Sequence, residues 1–366
     1  MLDALGALVT ETVADAASQW DVAGEIPVGV LRGLGAKGVL CAEARPEFGG
    51  LGLSGADNGE LTAHTGALCS SLRSVMTSQG MAAWTIQRFG DRAQRHEYIG
   101  RLTGGDLAAV AFSEPGAGSD LSAMTTTIRR EGGEIVVDGL KTWITVAGYA
   151  DWIVVFGRHE GGGAVALVPA SAPGVRVTRV EQPLGCRAAG HATVVLDDVR
   201  LPEAHLLAVA GQPVLMLTTI ALTYGRLSVA WGCVGILRAC LTAVARHAAR
   251  REQFGKPLLQ HQLVARHLAE LYAAERTATF ACEQAARSWD GGSPEQVQAA
   301  VLAKHVAAGN AARGAASALQ VLASAGASGA HVVERAFRDA KLMEVIEGSN
   351  EICQLMLAEH AASAAL

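Results

Sequence analysis

The spacing of apolar positions changes period twice along the 366-residue chain. Over residues 1 to about 109 they recur at helical spacing, broken at Pro27, Pro46 and the glycines of PEFGGLGLSG. From 110 to about 209 the pattern shortens. GEIVVDG, DWIVVFGR, AVALVPA, GVRVTRV and ATVVLDDVRLP are valine-rich runs bounded by Gly, Pro and Asp. They predict the short strands of an antiparallel sandwich or barrel. Asp138-Gly139 predicts a tight hairpin turn. From Pro213 the helical period returns. The stretch 258–290 lacks Gly and Pro, and Leu263, Val264, Leu268, Leu271 and Tyr272 mark one buried helix face. In GGSPEQ, Ser293 is placed to cap the next helix and Pro294 to occupy its first position. The chain therefore divides into a helical domain at 1–109, a β domain at 110–210 and a second helical domain at 211–366, with no internal repeat.

Composition narrows the class. Half of the residues are apolar and 18% are charged, as in a folded protein with a large core. The formal charge of −5 argues against a nucleic-acid partner. No apolar run reaches membrane-spanning length, which predicts no membrane association. The N-terminal MLDALGALVTETVADAASQW is acidic and amphipathic, reading as a first helix rather than a signal peptide. Seven cysteines without a CxxC pair predict reduced thiols and a cytoplasmic location. Eleven histidines lack HExxH or comparable ligand spacing, so no metal site is expected.

Five segments hold candidate chemistry. GLGAKG at 33–38 matches the dinucleotide-binding GxGxxG pattern. A helix-like segment rather than a strand precedes it, so it reads as a turn between helices. AFSEPGAGSD at 111–120 is a Pro- and Gly-containing loop with hydroxyls at Ser113 and Ser119. Its backbone amides suit a phosphate, a flavin edge or a thioester, or it is a plain loop at the entry to the β domain. KTWITVAG at 141–148 is a strand with a Trp, and RREQFGKPLLQHQ offers Arg251 as a phosphate clamp or a solvated helix end. EVIEGSNEI places three carboxylates, Glu344, Glu347 and Glu351, within eight residues.

Taken in order, PEFGGLGLS, FSEPGAGSD with WIT, RREQFGKPLLQHQ and FRDAKLMEVIEGSNEI resemble the signatures of the acyl-CoA dehydrogenase family, over nearly the whole chain. The resemblance implies a mainly α fold with an inserted β domain: an N-terminal helical domain, a central β-barrel or sandwich, and a C-terminal four-helix bundle. It implies FAD as cofactor, held with help from a neighbouring subunit, and hence a homodimer or homotetramer. By motif match, Phe112, Ser113, Gly118 and Ser119 would line the flavin. Trp143 would pack against it and Thr145 would hydrogen-bond near its N5. Arg251, Gln253, Phe254, Leu258, His261 and Gln262 would reach the pyrophosphate and adenine of the partner's FAD, with Gln320, Ser349 and Glu351 as further cofactor contacts.

The implied chemistry is α,β-dehydrogenation of an acyl thioester. A base removes the α proton while a hydride passes from the β carbon to flavin N5. Glu347 matches the family's catalytic glutamate, whereas Glu344 reads as surface. Some family members place the base just before the arginine matched by Arg226. Here that residue is Gly225, which cannot accept a proton. Ser119, Arg226, Ile346 and Gly348 would contact substrate, Arg226 through its pantetheine or phosphate. Ala323-Ser324 stands where the family has paired glycines, Ser349 replaces a threonine, and Ile346 replaces a frequent tyrosine. The pattern is most similar to acyl-ACP dehydrogenases of hydroxymalonyl- and methoxymalonyl-type polyketide extender-unit biosynthesis. It implies a glyceryl-type group on an acyl carrier protein or CoA, with an electron-accepting flavoprotein or other acceptor. A short-chain acyl-CoA dehydrogenase and a flavin oxidase or monooxygenase on the same fold are the alternatives.

Overall fold

The computed structural model describes residues 1–207, 210–329 and 331–364. The N-terminal part contains α1 (Leu2–Val13), α2 (Ala16–Ala23), α3 (Val28–Ala36), α4 (Gly55–Leu68), α5 (Ser70–Phe89), and the short α6 (Arg92–Gln94) and α7 (Gly100–Thr103). GLGAKG closes α3 and turns at Gly38, with no strand before it. Ser54 caps α4 by accepting from the Asp57 amide. The α5 helix is buried over most of its length, and its serines and threonines turn their hydroxyls to carbonyls, helix neighbours or the site below.

The middle part is one curled seven-stranded sheet. Its strands are β1 (Ala108–Ala111), β2 (Thr127–Glu131), β3 (Glu134–Ile144), β4 (Trp152–His159), β5 (Gly162–Pro169), β6 (Val175–Arg179) and β7 (Ala192–Pro202). The order is β1-β4-β2-β3-β7-β6, with β5 beside β4. The expectation of purely antiparallel pairing needs correction, since β1 and β2 run parallel to β4. The Asp138-Gly139 turn also fails. Both residues lie inside β3, where the register against β7 shifts between Val137 and Gly139. A Cβ on Gly139 would fall 2.2 Å from Thr126 Oγ1, so glycine serves close backbone approach there. The β2–β3 hairpin instead turns at Gly132-Gly133, both left-handed. The expected domain boundary near 209 falls on 208–209, outside the described residues.

The C-terminal part comprises α8 (Val214–Arg250), a β8 (Glu252–Gln253) and β9 (Lys256–Pro257) hairpin, α9 (Gln262–Asp290), α10 (Gln296–Leu322), α11 (Val332–Met343) and α12 (Asn350–Ala364). In contrast to the sequence expectation, α8 is long and apolar enough to cross a membrane, but 72% of that apolar window is buried inside the chain's own fold. It is the core helix, packed on α4, α5, α9, α10 and α11. On α9, Leu271 is buried as expected, whereas Leu263 and Tyr272 stay exposed at 75% and 57%. The α10 helix starts two residues later than the Ser293-Pro294 signal suggests; Ser293 Oγ accepts from the Glu295 amide just before it.

A shared apolar cluster of Met81, Val110, Phe112, Phe156, Leu217 and Tyr224 joins α5, the sheet and the start of α8. This junction carries the site.

Candidate active site

The turn between α11 and α12 holds EVIEGSN. Glu347 and Gly348 take consecutive left-handed backbone conformations, with φ of 56° and 90°. Glycine accepts this without penalty, but glutamate does so only when its surroundings compel it. Two buried cations do so from behind. Arg226 Nε donates to the Glu347 carbonyl at 3.1 Å. Lys304 Nζ donates to the Gly348 carbonyl at 2.7 Å and the Glu344 carbonyl at 3.4 Å. The Glu347 carboxyl bonds neither of them, and its Oε2 is shut off from solvent without a hydrogen-bond partner. Burial pushes the carboxyl up to about 7, against the pull of Arg226, Lys304 and Arg73. Gly225 makes the room: a Cβ there would lie 2.3 Å from Oε2.

The turn closes a cavity of about 680 Å³ between the helical parts and the sheet. One wall is the AFSEPGAGSD loop with Phe112, Ser113, Gly118 and Ser119. A buried pair staples this loop. Lys141 Nζ donates to Glu114 Oε1 at 2.9 Å and to the Phe112 carbonyl at 3.0 Å. Glu114 also accepts from the Thr125 amide and hydroxyl and the Thr126 amide. Desolvation raises the Glu114 carboxyl, yet these donors outweigh it and hold it at about 2.

A second wall is Trp143, Ile144, Thr145 and His191. Trp143 and Val146 are left-handed, at φ 59° and 70°, which bends the chain so that the 58%-exposed indole flanks the cavity. Thr145 Oγ1 and His191 Nδ1 lie 3.2 Å apart. Burial first, then Arg73, pushes the imidazole down to about 4, so it is neutral at physiological pH. The third wall is α5, which presents Arg73, Ser74, Thr77, Ser78 and Met81.

The structure thus gathers Phe112, Ser113, Gly118, Ser119, Trp143, Thr145, Ile346, Glu347, Gly348 and Ser349 around one cavity. It does not bring the others there. Arg251, Gln253, Phe254, Leu258, His261 and Gln262 lie on the β8–β9 hairpin and the approach to α9. Phe254 at its tip is 95% exposed and left-handed. Gln320 and Glu351 face outward on α10 and α12. Arg226, expected to contact the pantetheine or phosphate of the substrate, is 4% exposed and off the cavity wall, where its Nε holds the Glu347 carbonyl. Glu344 is half-buried rather than on the surface, tied to Lys341 and Asn350. Sequence reasoning missed Arg73, Thr77, Lys141, His191 and Lys304. The one signal available for Arg73 was a cation inside a helix of Ser, Thr, Met and Ala with no acidic residue at helical spacing.

Family models for the N-terminal, middle and C-terminal domains of acyl-CoA dehydrogenases match residues 1–106, 109–199 and 215–362. The chain belongs to the acyl-CoA dehydrogenase family. It is 31% identical to the mouse mitochondrial short-chain specific acyl-CoA dehydrogenase over 351 residues, covering 94% of this chain and 85% of that one. Among solved structures, FkbI, described as serving biosynthesis of the methoxymalonyl extender unit of the polyketide Fk520, is 60% identical. It superposes with a TM-score of 0.94 over 98% of this chain and 99% of that one. A glutaryl-CoA dehydrogenase of Mycobacterium smegmatis in complex with FADH2 is 25% identical, with a TM-score of 0.93 over 99% and 94% of the two chains.

The chain is an FAD-dependent oxidoreductase of this family. The residues present fit that cofactor. The cavity is a slot with Trp143 and Phe112 as apolar flanks, hydroxyls of Ser113, Ser119 and Thr145 along it, and open space at Gly118 for close backbone approach.

Proposed function

We propose that the protein abstracts the α proton of a short, oxygenated acyl thioester with Glu347 and so dehydrogenates it across Cα–Cβ. The observation that carries this reading is the unpartnered Glu347 Oε2, dry in the notch at Gly225, on a residue that lines the cavity beside the proposed flavin slot. A carboxylate in water is too weak a base for an α proton. Burial moves its pKa near 7 and strengthens it while leaving much of it ionised at neutral pH. The left-handed turn sets the carboxyl, and Arg226 and Lys304 hold the turn's carbonyls from the far side. The thioester carbonyl gathers negative charge as the proton leaves, and backbone N–H groups of the same turn are available to it. When bound, FAD supplies the acceptor for the hydride leaving Cβ. Phe112, Ser113, Gly118, Ser119, Trp143, Thr145 and Ser349 would hold its flavin. Arg251, Gln253, Phe254, Leu258, His261, Gln262, Gln320 and Glu351, away from this cavity, would serve a second subunit's cofactor.

The 60% likeness to FkbI supports a role in extender-unit biosynthesis. The substrate on this reading is a glyceryl group on an acyl carrier protein. Loss of one proton from C2 and one hydride from C3 leaves an enediol, which tautomerises to an aldehyde. The test is anaerobic mixing of the flavin-loaded protein with glyceryl-ACP, glyceryl-CoA and butyryl-CoA, followed by the visible flavin band. Bleaching by the glyceryl carrier thioester is expected. Bleaching by butyryl-CoA alone would return the protein to short-chain acyl-CoA oxidation.

A further inference from the structure

Thr145 and His191 face each other at one end of the sheet. Ile144 and Ala192 are ladder partners of β3 and β7, so the residue after one strand lies beside the residue before the other. Both backbones are pinned. The Thr145 carbonyl accepts from Ser78 Oγ at 3.3 Å, and the His191 carbonyl accepts from the Val180 amide at 2.8 Å. The Val146 amide donates to the Ala189 carbonyl at 3.0 Å. The side chains then meet at 3.2 Å between Oγ1 and Nδ1, on the cavity wall that carries the Trp143 indole. His191 Nε2 is buried without a hydrogen-bond partner.

A neutral imidazole has one proton and two places for it. Burial and the charge of Arg73 keep His191 neutral at physiological pH, so its choice is between tautomers rather than between charges. With the proton on Nδ1, the ring donates to Thr145 Oγ1 and the hydroxyl is free to donate into the cavity. With the proton on Nε2, the hydroxyl donates to Nδ1 and Oγ1 is free to accept from the cavity. A partner on the second ring nitrogen usually locks one tautomer. Here the Cys186 carbonyl pulls in favour of a ring N–H but does not bond Nε2, so the pair is left reversible.

A flavin ring makes demands that alternate in the same way. Oxidised, its bare ring nitrogens accept hydrogen bonds; after two-electron reduction one of them carries N–H and donates. We infer that His191 is a positioning residue that reverses the Thr145 hydroxyl with the redox state of the flavin, so that Thr145 donates to the oxidised ring and accepts from the reduced one. The pair gains no net proton and no electron. One proton leaves Nδ1 and one arrives at Nε2 by exchange with solvent in the cavity, while the electrons stay on the flavin. The inference rests on the proposed placement of the flavin against Thr145.

The test uses the flavin-loaded protein with 15N-labelled histidine, oxidised and then reduced with dithionite under anaerobic conditions. Ring 15N shifts report the tautomer, and dye-linked titration gives the flavin midpoint potential. His191 should carry its proton on Nδ1 in the oxidised protein and on Nε2 in the reduced one. His191→Phe leaves the Thr145 hydroxyl without an acceptor only in the reduced state. The equilibrium should shift about tenfold toward oxidised flavin, about 30 mV lower for a two-electron couple. His191→Gln keeps an acceptor and should stay within about threefold of wild type. In a Thr145→Val background, His191→Phe should change the potential no further. The same tautomer in both redox states, or a charged imidazolium in either, would overturn the inference. So would an equal shift from His191→Phe with and without the Thr145 hydroxyl, which marks a structural effect. A wild-type potential in Thr145→Val would overturn the placement of the flavin and the inference with it. If His191→Phe fails to retain flavin, the wild-type tautomers and the His191→Gln potential decide. No thioester is used, so these outcomes are independent of whether Glu347 takes a proton.

Discussion

Glu347 was legible as one of three carboxylates in nine residues, but its environment was not. The left-handed φ of 56°, the unpartnered Oε2 and the notch at Gly225 are properties of packing between α5, α8 and the α11–α12 turn. They yield two expectations. First, Gly225→Ala places a methyl where Oε2 now sits and displaces the carboxyl. Flavin reduction should slow by about 10²-fold, the range of a lost general base, with flavin content retained. Normal rates in this variant would show that the carboxyl position does not matter. Second, pH acts on stability with a definite sign. In the ordinary carboxyl range and below, folded and unfolded chains both hold the proton. Between there and about pH 7 the folded chain keeps a proton that the unfolded chain has released, so stability falls as pH rises. Above that range the folded chain carries a buried anion. Glu347→Gln should therefore melt above wild type at pH 8, with the difference shrinking toward pH 5. A constant difference across this range would place the titration elsewhere.

At the scale of elements, hydrophobic period sufficed for the helix–sheet–helix order, because long helices and valine-rich strands carry strong local signals. It failed where tertiary contacts override local ones. Asp138-Gly139 became a strand interior because Thr126 presses against Gly139. Leu263 and Tyr272 obey helical spacing yet remain exposed on α9. The buried Glu114–Lys141 pair was invisible because its members lie 27 residues apart. It now predicts that Glu114→Gln strands the Lys141 ammonium and costs about 3–5 kcal/mol, read as a lowered denaturant midpoint and a loosened flavin. The Glu114 contribution is present above the ordinary carboxyl range and is lost as pH falls toward 2. Lys304 makes a similar case. Lys304→Met removes the donor to the Gly348 and Glu344 carbonyls and a cation that pulls the Glu347 carboxyl down. The pH midpoint of flavin reduction should move upward. An unmoved midpoint would make Lys304 a fold residue only.

For the whole molecule, the cavity lies where all three parts meet, so no single segment could have disclosed it. The N-terminal part gives α5, the sheet gives the 111–120 loop and Trp143, and the C-terminal part gives the Glu347 turn. On the proposed reading, the residues of the β8–β9 hairpin serve a site completed by a second copy. Arg251→Ala should then weaken flavin retention on dilution while leaving the chain's own fold intact, as measured by flavin fluorescence against sedimentation. Equal retention at all concentrations would separate the cofactor from assembly. Glu347 is proposed to take the α proton. The most direct measurement is stopped-flow anaerobic flavin reduction by glyceryl-ACP across pH 6 to 9 in wild type and Glu347→Gln. The wild-type rate should rise through a midpoint near 7, and the variant should keep its flavin but be slower by at least about 10²-fold at every pH. A variant that reduces its flavin at close to the wild-type rate would contradict it.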